Sequence, residues 1–167
     1  EFALHLVPAG IFYPEKVCVI GNGVVVDPTG LLNEIEGLES RGLSVKGRLF
    51  LSDRAQVLMP WHPLIDRLDE ELRGDGAIGT TGRGVGPAFV DKVGRAGVRV
   101  ADLLDSESLL QLLSFLVPYK NAVLTKLYGA DALSLESVHA EYTDYATRLA
   151  PYVADTAALV QEAMARG

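Results

Sequence analysis

The stretch "KVCVIGNGVVVDPTGLLNEIEGLESRG", residues 16–42, decides the fold, because it contains an apolar strand, a turn, a second apolar run and a helix in that order. Its opening "KVCVI" has the length and composition of a strand, and Gly21-Asn22-Gly23 is a turn between apolar runs. Asp27 is the predicted N-cap of the helix and Pro28 its first residue, while Gly42 follows the last turn.

The flanking sequence repeats this alternation. "FALHLV" (2–7) is predicted to be a strand, "RLFLS" (48–52) another, and "HPLIDRLDEELRG" a helix that ends near Gly74. Strands that alternate with helices are typical of a parallel or mixed sheet covered by helices. We therefore expect an α/β portion over residues 1–100.

Residues 101–167 are predicted to form a mainly helical lobe without strands. "SESLLQLLSFLV" (106–117) is a helix that Pro118 either kinks or ends. A seam with 3-4 spacing follows, and because Pro151 lies within it, it predicts two helices or one bent helix. Its tyrosines are interpreted as core packing, and its members are Leu135, Val138, Tyr142, Tyr145, Leu149, Tyr152, Thr156, Leu159 and Ala163.

Composition and charge limit the possible functions. A chain of 167 residues suits one main core, and the net charge of −7 argues against general nucleic-acid binding, which depends on cations. The charge is uneven, however. Residues 78–99 carry four cations (Arg83, Lys92, Arg95 and Arg99) against Asp91 alone, net +3, which would suit a compact anion such as a nucleotide phosphate.

The cellular setting is inferred from cysteine content and hydropathy. Cys18 has no second cysteine to pair with, which favours a reducing, cytoplasmic compartment. No apolar run reaches the roughly 18–20 residues of a membrane span, and the first residues do not resemble a secretory signal. The opening "EFALHLVPAG" looks like a strand already under way, so we expect the chain to be part of a longer protein.

A glycine-rich segment, "IGTTGRGVGPAFVDKVGRAG" (78–97), joins the two portions. Gly79 and Gly84 have the spacing of a Walker A loop, but Val85 stands where that loop needs lysine. The dinucleotide fingerprint fails as well, because Pro87 takes the place of its third glycine.

The same segment still offers groups that can bind a phosphate. Thr80 and Thr81 present hydroxyl and N–H donors among glycines. Pro87 is predicted to open a short helix ending at Gly97, whose buried face comprises Phe89, Val93 and Ala96. Lys92 and Arg95 would lie on one flank and meet an anion together. The alternative is that the glycines form ordinary turns and the cations a solvated surface.

Three ordered stretches resemble the adenylosuccinate synthetase family: "IGTTGRGVGPAFVDKVGRAGVRVADLL" (78–104), "LHLVPAGI" (4–11) and "IGNGVVVDP" (20–28). The resemblance implies a homodimeric, cytoplasmic ligase of AMP biosynthesis. Enzymes of the family use GTP and Mg²⁺ as co-substrate and cofactor to join IMP and L-aspartate, giving adenylosuccinate, GDP and phosphate.

The resemblance also implies roles for individual residues. Thr81 matches the threonine that binds the IMP 5′-phosphate, and Arg95 the arginine that reaches into the neighbouring subunit's IMP site. Lys92 matches a signature lysine that we place with the catalytic residues without a defined role. Thr80, Gly82, Arg83 and Arg99 are candidates for the phosphate loop or the dimer contact. Phe89 replaces the family's usual tyrosine.

Other family motifs have no counterpart in these residues. The glycine-rich loop with the catalytic aspartate, the Asn-Ala-Gly-His stretch and the guanine-recognition elements are missing. His5, His62 and His139 match none of them and are interpreted as structural or exposed. The resemblance therefore predicts an internal segment of the enzyme that holds no metal ligand and is inactive alone.

Two other functions remain open from the sequence. One is a noncatalytic nucleotide-phosphate-binding module that kept the loop and lost the chemistry. The other is a helical interaction domain that uses the 135–163 seam as its working surface. The second predicts an exposed apolar stripe, whereas the enzyme interpretation buries that stripe.

Overall fold

Two small parallel sheets form the strand layer of the structure, a computed structural model that describes residues 3–166. The larger sheet has the order β1-β3-β5 and the smaller pairs β2 with β4, and every pair is parallel. The strands are β1 (Cys18–Ile20), β2 (Val25–Val26), β3 (Leu49–Ser52), β4 (Gln56–Val57) and β5 (Val153–Ala154). The predicted α/β class with a parallel sheet is confirmed.

Helices surround these strands and make up most of the second half. They are α1 (Pro28–Glu39), α2 (Trp61–Arg73), α3 (Val85–Val93), α4 (Val100–Leu103), α5 (Ser106–Lys126), α6 (Leu135–Leu149) and α7 (Thr156–Arg166). Short 3-10 turns occupy Ala9–Phe12, Gly74–Gly76 and Ala150–Tyr152. The mainly helical character predicted for the second half is thus confirmed.

Local sequence explains several helix ends. Asp27 occupies the N-cap position of α1, and its carbonyl accepts from Leu31 N, but its side chain makes no capping hydrogen bond. Asp105 caps α5 with its carboxylate, which accepts from Glu107 N and Ser108 N at 3.0 Å each. Pro118 lies inside α5 and does not end it.

One hydrophobic cluster includes residues from both halves of the chain. Leu49 and Leu51 of β3 are fully buried in it, as are Trp61 of α2 and Leu116 of α5. Tyr142 of α6 is 5% exposed, and its hydroxyl donates to Leu58 O at 2.7 Å. Because its one polar atom is satisfied, this tyrosine packs in the core as predicted.

The strand predicted over residues 2–7 is wrong for its described part, residues 3–7, which has no strand geometry. Glu34 of α1 binds the backbone N–H groups that a sheet would need. Its carboxylate accepts from His5 N at 2.7 Å, Leu6 N at 3.1 Å and Val7 N at 2.9 Å. Residue 2 lies outside the described part of the chain.

The prediction of a strand-free second half is also wrong, since β5 pairs with β3 through Val153 and Ala154. The seam does form two helices, α6 and α7, as predicted, but a 3-10 turn and β5 separate them. Val138 and Leu149 of α6 are buried, whereas most of α7 is exposed. The domain division at residue 100 stays a prediction.

Candidate functional site

The glycine-rich loop, residues 77–84, leaves the C-terminal end of α2 and runs back along that helix. A Cβ atom on Gly82 would lie 3.4 Å from Cγ of Arg67, and one on Gly84 would lie 2.4 Å from the backbone nitrogen of Pro63. Gly79, Gly82 and Gly84 all have positive φ, which glycine adopts without steric penalty. The sequence folds this way because only glycine permits both the turns and the close approach to α2.

Two carboxylates of α2 hold the two ends of this loop. Glu70 accepts hydrogen bonds from Ile78 N at 3.1 Å and, through its other oxygen, from Gly79 N at 2.7 Å and Thr80 N at 3.3 Å. Asp66, one helical turn earlier, accepts from Gly84 N at 2.8 Å. The N–H of Gly79, followed by those of Ile78 and Thr80, holds the pKa of Glu70 below its ordinary value, so the carboxylate is charged at neutral pH.

The tip of the loop has free polar groups. Thr81 and Arg83 are exposed, and neither side chain has a hydrogen bond or ion pair to residues 3–166. Thr80 uses its hydroxyl locally, as the acceptor of a 3.3 Å bond from Gly82 N. The predicted phosphate-binding groups therefore divide into the backbone N–H groups of residues 78–80, which Glu70 already binds, and the unpaired groups of Thr81 and Arg83.

Helix α3 differs from its prediction at both ends. Pro87 is its third residue, and it ends at Val93 instead of Gly97. The predicted buried face is wrong as well, because Phe89 is 40% and Val93 82% exposed and Ala96 is half-buried. Ala88 and Asp91 are the residues that α3 buries.

Lys92 and Arg95 do not share a helix flank as predicted, because Arg95 lies beyond the end of α3. The Nζ of Lys92 donates to Asn22 O at 3.3 Å and lies 5.7 Å from the Phe89 ring centroid. Arg95 is exposed and has a φ of 60°, in the left-handed region, while Ala96 N donates to Asp91 O at 2.9 Å across it. This is the Schellman arrangement at a helix C-terminus, where glycine is the usual residue.

Arg99, like Arg95, lies beyond the C-terminal end of α3, and it directly precedes α4. Its backbone N–H donates to Asp102 Oδ2 at 2.7 Å, and it forms an antiparallel bridge with Gln56. The candidate residues therefore form two groups, Thr80–Arg83 before α3 and Lys92–Arg99 at and beyond its last turn. Helix α3 is about 13 Å long, at 1.5 Å for each of its nine residues, so Thr80–Arg83 and Arg95–Arg99 lie beyond its opposite ends.

The sequence prediction missed a buried polar cluster centred on Asp91. One oxygen of its carboxylate accepts from Trp61 Nε1 at 3.1 Å and His62 Nε2 at 2.9 Å, and the other from Lys120 Nζ at 2.5 Å. Asp91 and Lys120 are 5% and 6% exposed, and His62 is fully buried. The cluster joins α2, α3 and α5, and His62, which was predicted to be structural or exposed, is buried within it.

The protonation states in this cluster follow from the hydrogen bonds. Burial lowers the pKa of His62, and its Nδ1 accepts from Met59 N at 2.9 Å, so the proton of the neutral ring is on Nε2 and faces Asp91. Burial alone would raise the pKa of Asp91, but its bonds with His62, Lys120 and Trp61 outweigh that effect and lower it. Asp91 is therefore a charged acceptor that holds three donors.

Two cavities border the loop. The first, of about 740 Å³, is lined by Arg83 and Val85 together with residues of α1 and α6. The second, of about 430 Å³, lies between α2, α3 and α5 and includes Thr80 and Lys120 in its lining. Within residues 3–166, no group of three or more histidine, cysteine or acidic side chains could hold a metal ion. No helix in that range is long and apolar enough to span a membrane.

The architecture places the chain among α/β proteins in which helices cover a parallel sheet. The family model of adenylosuccinate synthetase matches residues 1–167, so the chain belongs to the adenylosuccinate synthetase family. It is 48% identical over 164 residues to the adenylosuccinate synthetase of Halothermothrix orenii, and this alignment covers 98% of this chain and 38% of that protein. The synthetase of Heliobacterium modesticaldum is 48% identical over 167 residues, all of this chain and 39% of the relative.

A solved structure gives the same result at lower identity. The fully ligated adenylosuccinate synthetase from Plasmodium falciparum superposes with a TM-score of 0.86 at 29% identity, covering 99% of this chain and 38% of that one. The chain thus spans less than two fifths of the length of these relatives.

Proposed function

We propose that this chain is the part of an adenylosuccinate synthetase that binds the 5′-phosphate of IMP and contacts a second subunit. The complete enzyme would couple GTP hydrolysis to the ligation of IMP and L-aspartate, giving adenylosuccinate, GDP and phosphate in the cytoplasm. The observation that carries the proposal is the loop itself. Its ends are fixed to α2 by Glu70 and Asp66, while Thr81 at its tip keeps unpaired donors.

In this proposal the loop acts by positioning. Thr81 would donate its hydroxyl and backbone N–H to the phosphate, which lies at the end of IMP remote from the reacting purine carbon. A loop already fixed before binding loses little conformational entropy when the phosphate arrives. Binding energy gained at this remote group would hold the purine ring in place for the reaction.

Arg95 would act on the neighbouring subunit's IMP. Its left-handed φ is unfavourable for a residue with a Cβ, and such strain is found more often at functional positions than elsewhere. Arg95 also lies at the opposite end of α3 from Thr81, which argues against both residues holding one phosphate within a single chain. Arg99 would support this contact between subunits.

The exposed face of α3 also supports a dimer. Val85, Phe89 and Val93 follow one another at intervals of four residues and are 44%, 40% and 82% exposed. Contiguous exposed apolar residues of this kind commonly mark a protein interface. A second copy of the chain is the partner that the proposed role of Arg95 requires.

GTP and Mg²⁺ would be bound by other parts of the enzyme. The described residues provide no group of metal ligands, so we derive no step through the metal from this segment. Lys92 is half-buried, and its Nζ already donates to Asn22 O, which favours a supporting role over direct chemistry. A helical interaction domain that uses the whole seam is disfavoured, because Val138, Tyr142 and Leu149 in its α6 part are buried.

Subunit complementation of the full-length enzyme tests the proposal. The Thr81→Ala and Arg95→Gly variants should each bind IMP weakly, but a mixture of the two should recover activity. Random pairing makes half of the dimers mixed, and each mixed dimer has one intact site of two, so about a quarter of wild-type activity is expected. A mixture no more active than its components, with subunit exchange demonstrated, would show that the two residues do not serve one site in trans.

A further inference from the structure

A carboxylate already occupies part of the anion-binding backbone of the loop. The successive N–H groups of Ile78, Gly79 and Thr80 all point at Glu70, at 3.1, 2.7 and 3.3 Å. Successive N–H groups around a left-handed residue, here Gly79 with a φ of 79°, form a concavity that binds anions. Without Glu70, this concavity would be the most evident phosphate site in the loop.

We infer that Glu70 is a positioning residue of the phosphate loop, because its carboxylate fills the concavity at residues 78–80 and leaves the substrate phosphate only the donors from Thr81 onward. This inference rests on the proposed function. It deepens that proposal by explaining why the binding group is Thr81 and not Thr80, which offers the same chemistry one residue earlier.

Asp66 makes the arrangement two-ended. It lies four residues before Glu70, on the same face of α2, and is 8% exposed. Its bond to Gly84 N fixes the loop where α3 begins, while Glu70 fixes it where the loop turns back along α2. Residues 81–83 therefore form a short segment that is held on both sides, by the bonds to Glu70 before it and by the bond to Asp66 after it. The distance between Asp66 and Glu70 along α2 sets how far apart the two ends of this segment lie.

The negative charge of Glu70 has a second consequence. A phosphate dianion cannot share the N–H groups that Glu70 uses, since like charges repel at that distance. The charge therefore excludes the phosphate from residues 78–80 as well as ordering the loop. Arg73 of α2 is a cation that acts on Glu70 and helps to lower its pKa, after the N–H groups of the loop, but no ion pair joins the two side chains in the described part of the chain, so Glu70 keeps its negative charge beside the loop.

The test compares Glu70→Gln with wild type in the full-length enzyme. Glutamine keeps the shape of the side chain, but its amide nitrogen cannot accept a hydrogen bond, so at least one loop N–H loses its partner. Glu71→Gln is the matched control, because Glu71 is the next residue of α2, is exposed, and has no side-chain bond to residues 3–166. Hydrogen exchange of residues 78–84 without substrate reports loop order, and steady-state kinetics report KM for IMP and kcat.

Glu70→Gln should speed exchange at residues 78–80 and raise KM for IMP about 10- to 150-fold, the range that corresponds to losing one bond to a charged acceptor. The kcat should stay within about twofold, because the loop binds a group remote from the reacting atoms. Glu71→Gln should change neither quantity. A general structural defect would instead lower kcat or the folded fraction, and would not raise KM while leaving kcat nearly unchanged.

The outcomes separate this inference from the proposed function. If Thr81→Ala raises KM for IMP and Glu70→Gln does not, the role of Glu70 is overturned and the role of Thr81 stands. If neither variant raises KM, the proposed function fails. If Glu70→Gln does not fold, Glu70→Asp replaces it in the test, because aspartate keeps the charge but is one methylene shorter. A KM for IMP in Glu70→Asp equal to that of wild type would overturn the inference.

Discussion

Replacing Arg95 with glycine should weaken IMP binding without lowering the free energy of unfolding of the protein. Within residues 3–166, Arg95 is the one residue other than glycine with a positive φ. It follows α3 at the position where Ala96 N reaches back to Asp91 O, and glycine is favoured there because it has no Cβ. Its side chain is exposed and has no ion pair or hydrogen bond to the described chain, so truncation removes no contact within the subunit.

The expected gain in stability is the difference between two effects. A left-handed conformation costs about 1–2 kcal/mol for a residue with a Cβ, and glycine removes that penalty. Glycine also increases the conformational entropy of the unfolded chain, which lowers stability by about 0.4–1 kcal/mol. Arg95→Gly should therefore leave the free energy of unfolding unchanged or raise it by up to about 1.5 kcal/mol. Arg95→Ala keeps the strained conformation and should gain nothing.

Binding should change in the opposite direction. A hydrogen bond between a guanidinium and a phosphate contributes about 1.5–3 kcal/mol, so its loss should raise KM for IMP about 10- to 150-fold. The kcat should change little, because the phosphate is bound equally in the ground and transition states. Arg95→Lys should fall between wild type and Arg95→Gly, since lysine keeps the charge but not the bidentate fork.

Thermal unfolding and steady-state kinetics of the same full-length preparations test both effects. Lys126→Ala is a suitable control for loss of one positive charge, because Lys126 is exposed and has no partner among the described residues. An Arg95→Gly enzyme with unchanged KM for IMP and an unchanged dimer would refute the binding role. A clear loss of stability in Arg95→Gly would refute the argument that φ at this position is strained.

Further predictions concern the supports of the site. Asp91→Asn should lower the free energy of unfolding by about 3–5 kcal/mol, because the buried ammonium of Lys120 would lose its counter-charge. Denaturant unfolding measures this loss, and a value below about 1 kcal/mol would contradict that account. Gly84→Ala should disorder the loop, seen as faster amide exchange, because its Cβ would meet backbone atoms of α2. Val93→Glu should shift a dimer towards monomer in sedimentation and raise KM for IMP together; an intact dimer would place the interface elsewhere. The Gly79 amide resonance should titrate with a midpoint below pH 4.5, because the pKa of Glu70 is lowered from that value. The bond between Gly79 N and the Glu70 carboxylate is kept while Glu70 is charged, and it is lost as the pH falls through the lowered pKa.

The sequence predicts the α/β class well, because its signals are local. An apolar run, the Gly21-Asn22-Gly23 turn and a proline-initiated helix each depend on a few neighbouring residues, and β1, β3 and α1 form where these signals lie. It does not predict β5, whose two residues are too short for any alternation and are extended because β3 offers free backbone partners. Pairing between distant strands is a tertiary effect.

The orientation of α3 could not be predicted for a different reason. Burial was assigned from hydrophobicity, which favoured Phe89 and Val93, yet α3 buries Asp91. A buried carboxylate is acceptable only when it is fully paired, and its donors, Trp61, His62 and Lys120, come from two other helices. Glu70 and Asp66 were missed likewise, since an acid on a helix looks solvated until its loop partners are known.

The two ends of α3 and its exposed face can be related through the proposed dimer. A twofold contact is reciprocal, so if Arg95 of one subunit lies near Thr81 of the other, the reverse contact forms as well. Each contact links one end of α3 to the opposite end of its copy, which requires the two helices to lie antiparallel across the axis. The residues between those ends, Val85, Phe89 and Val93, would then meet their copies, and this contact would account for the apolar face that α3 exposes. The proposed subunit contact and the completion of the IMP site would thus depend on the same helix.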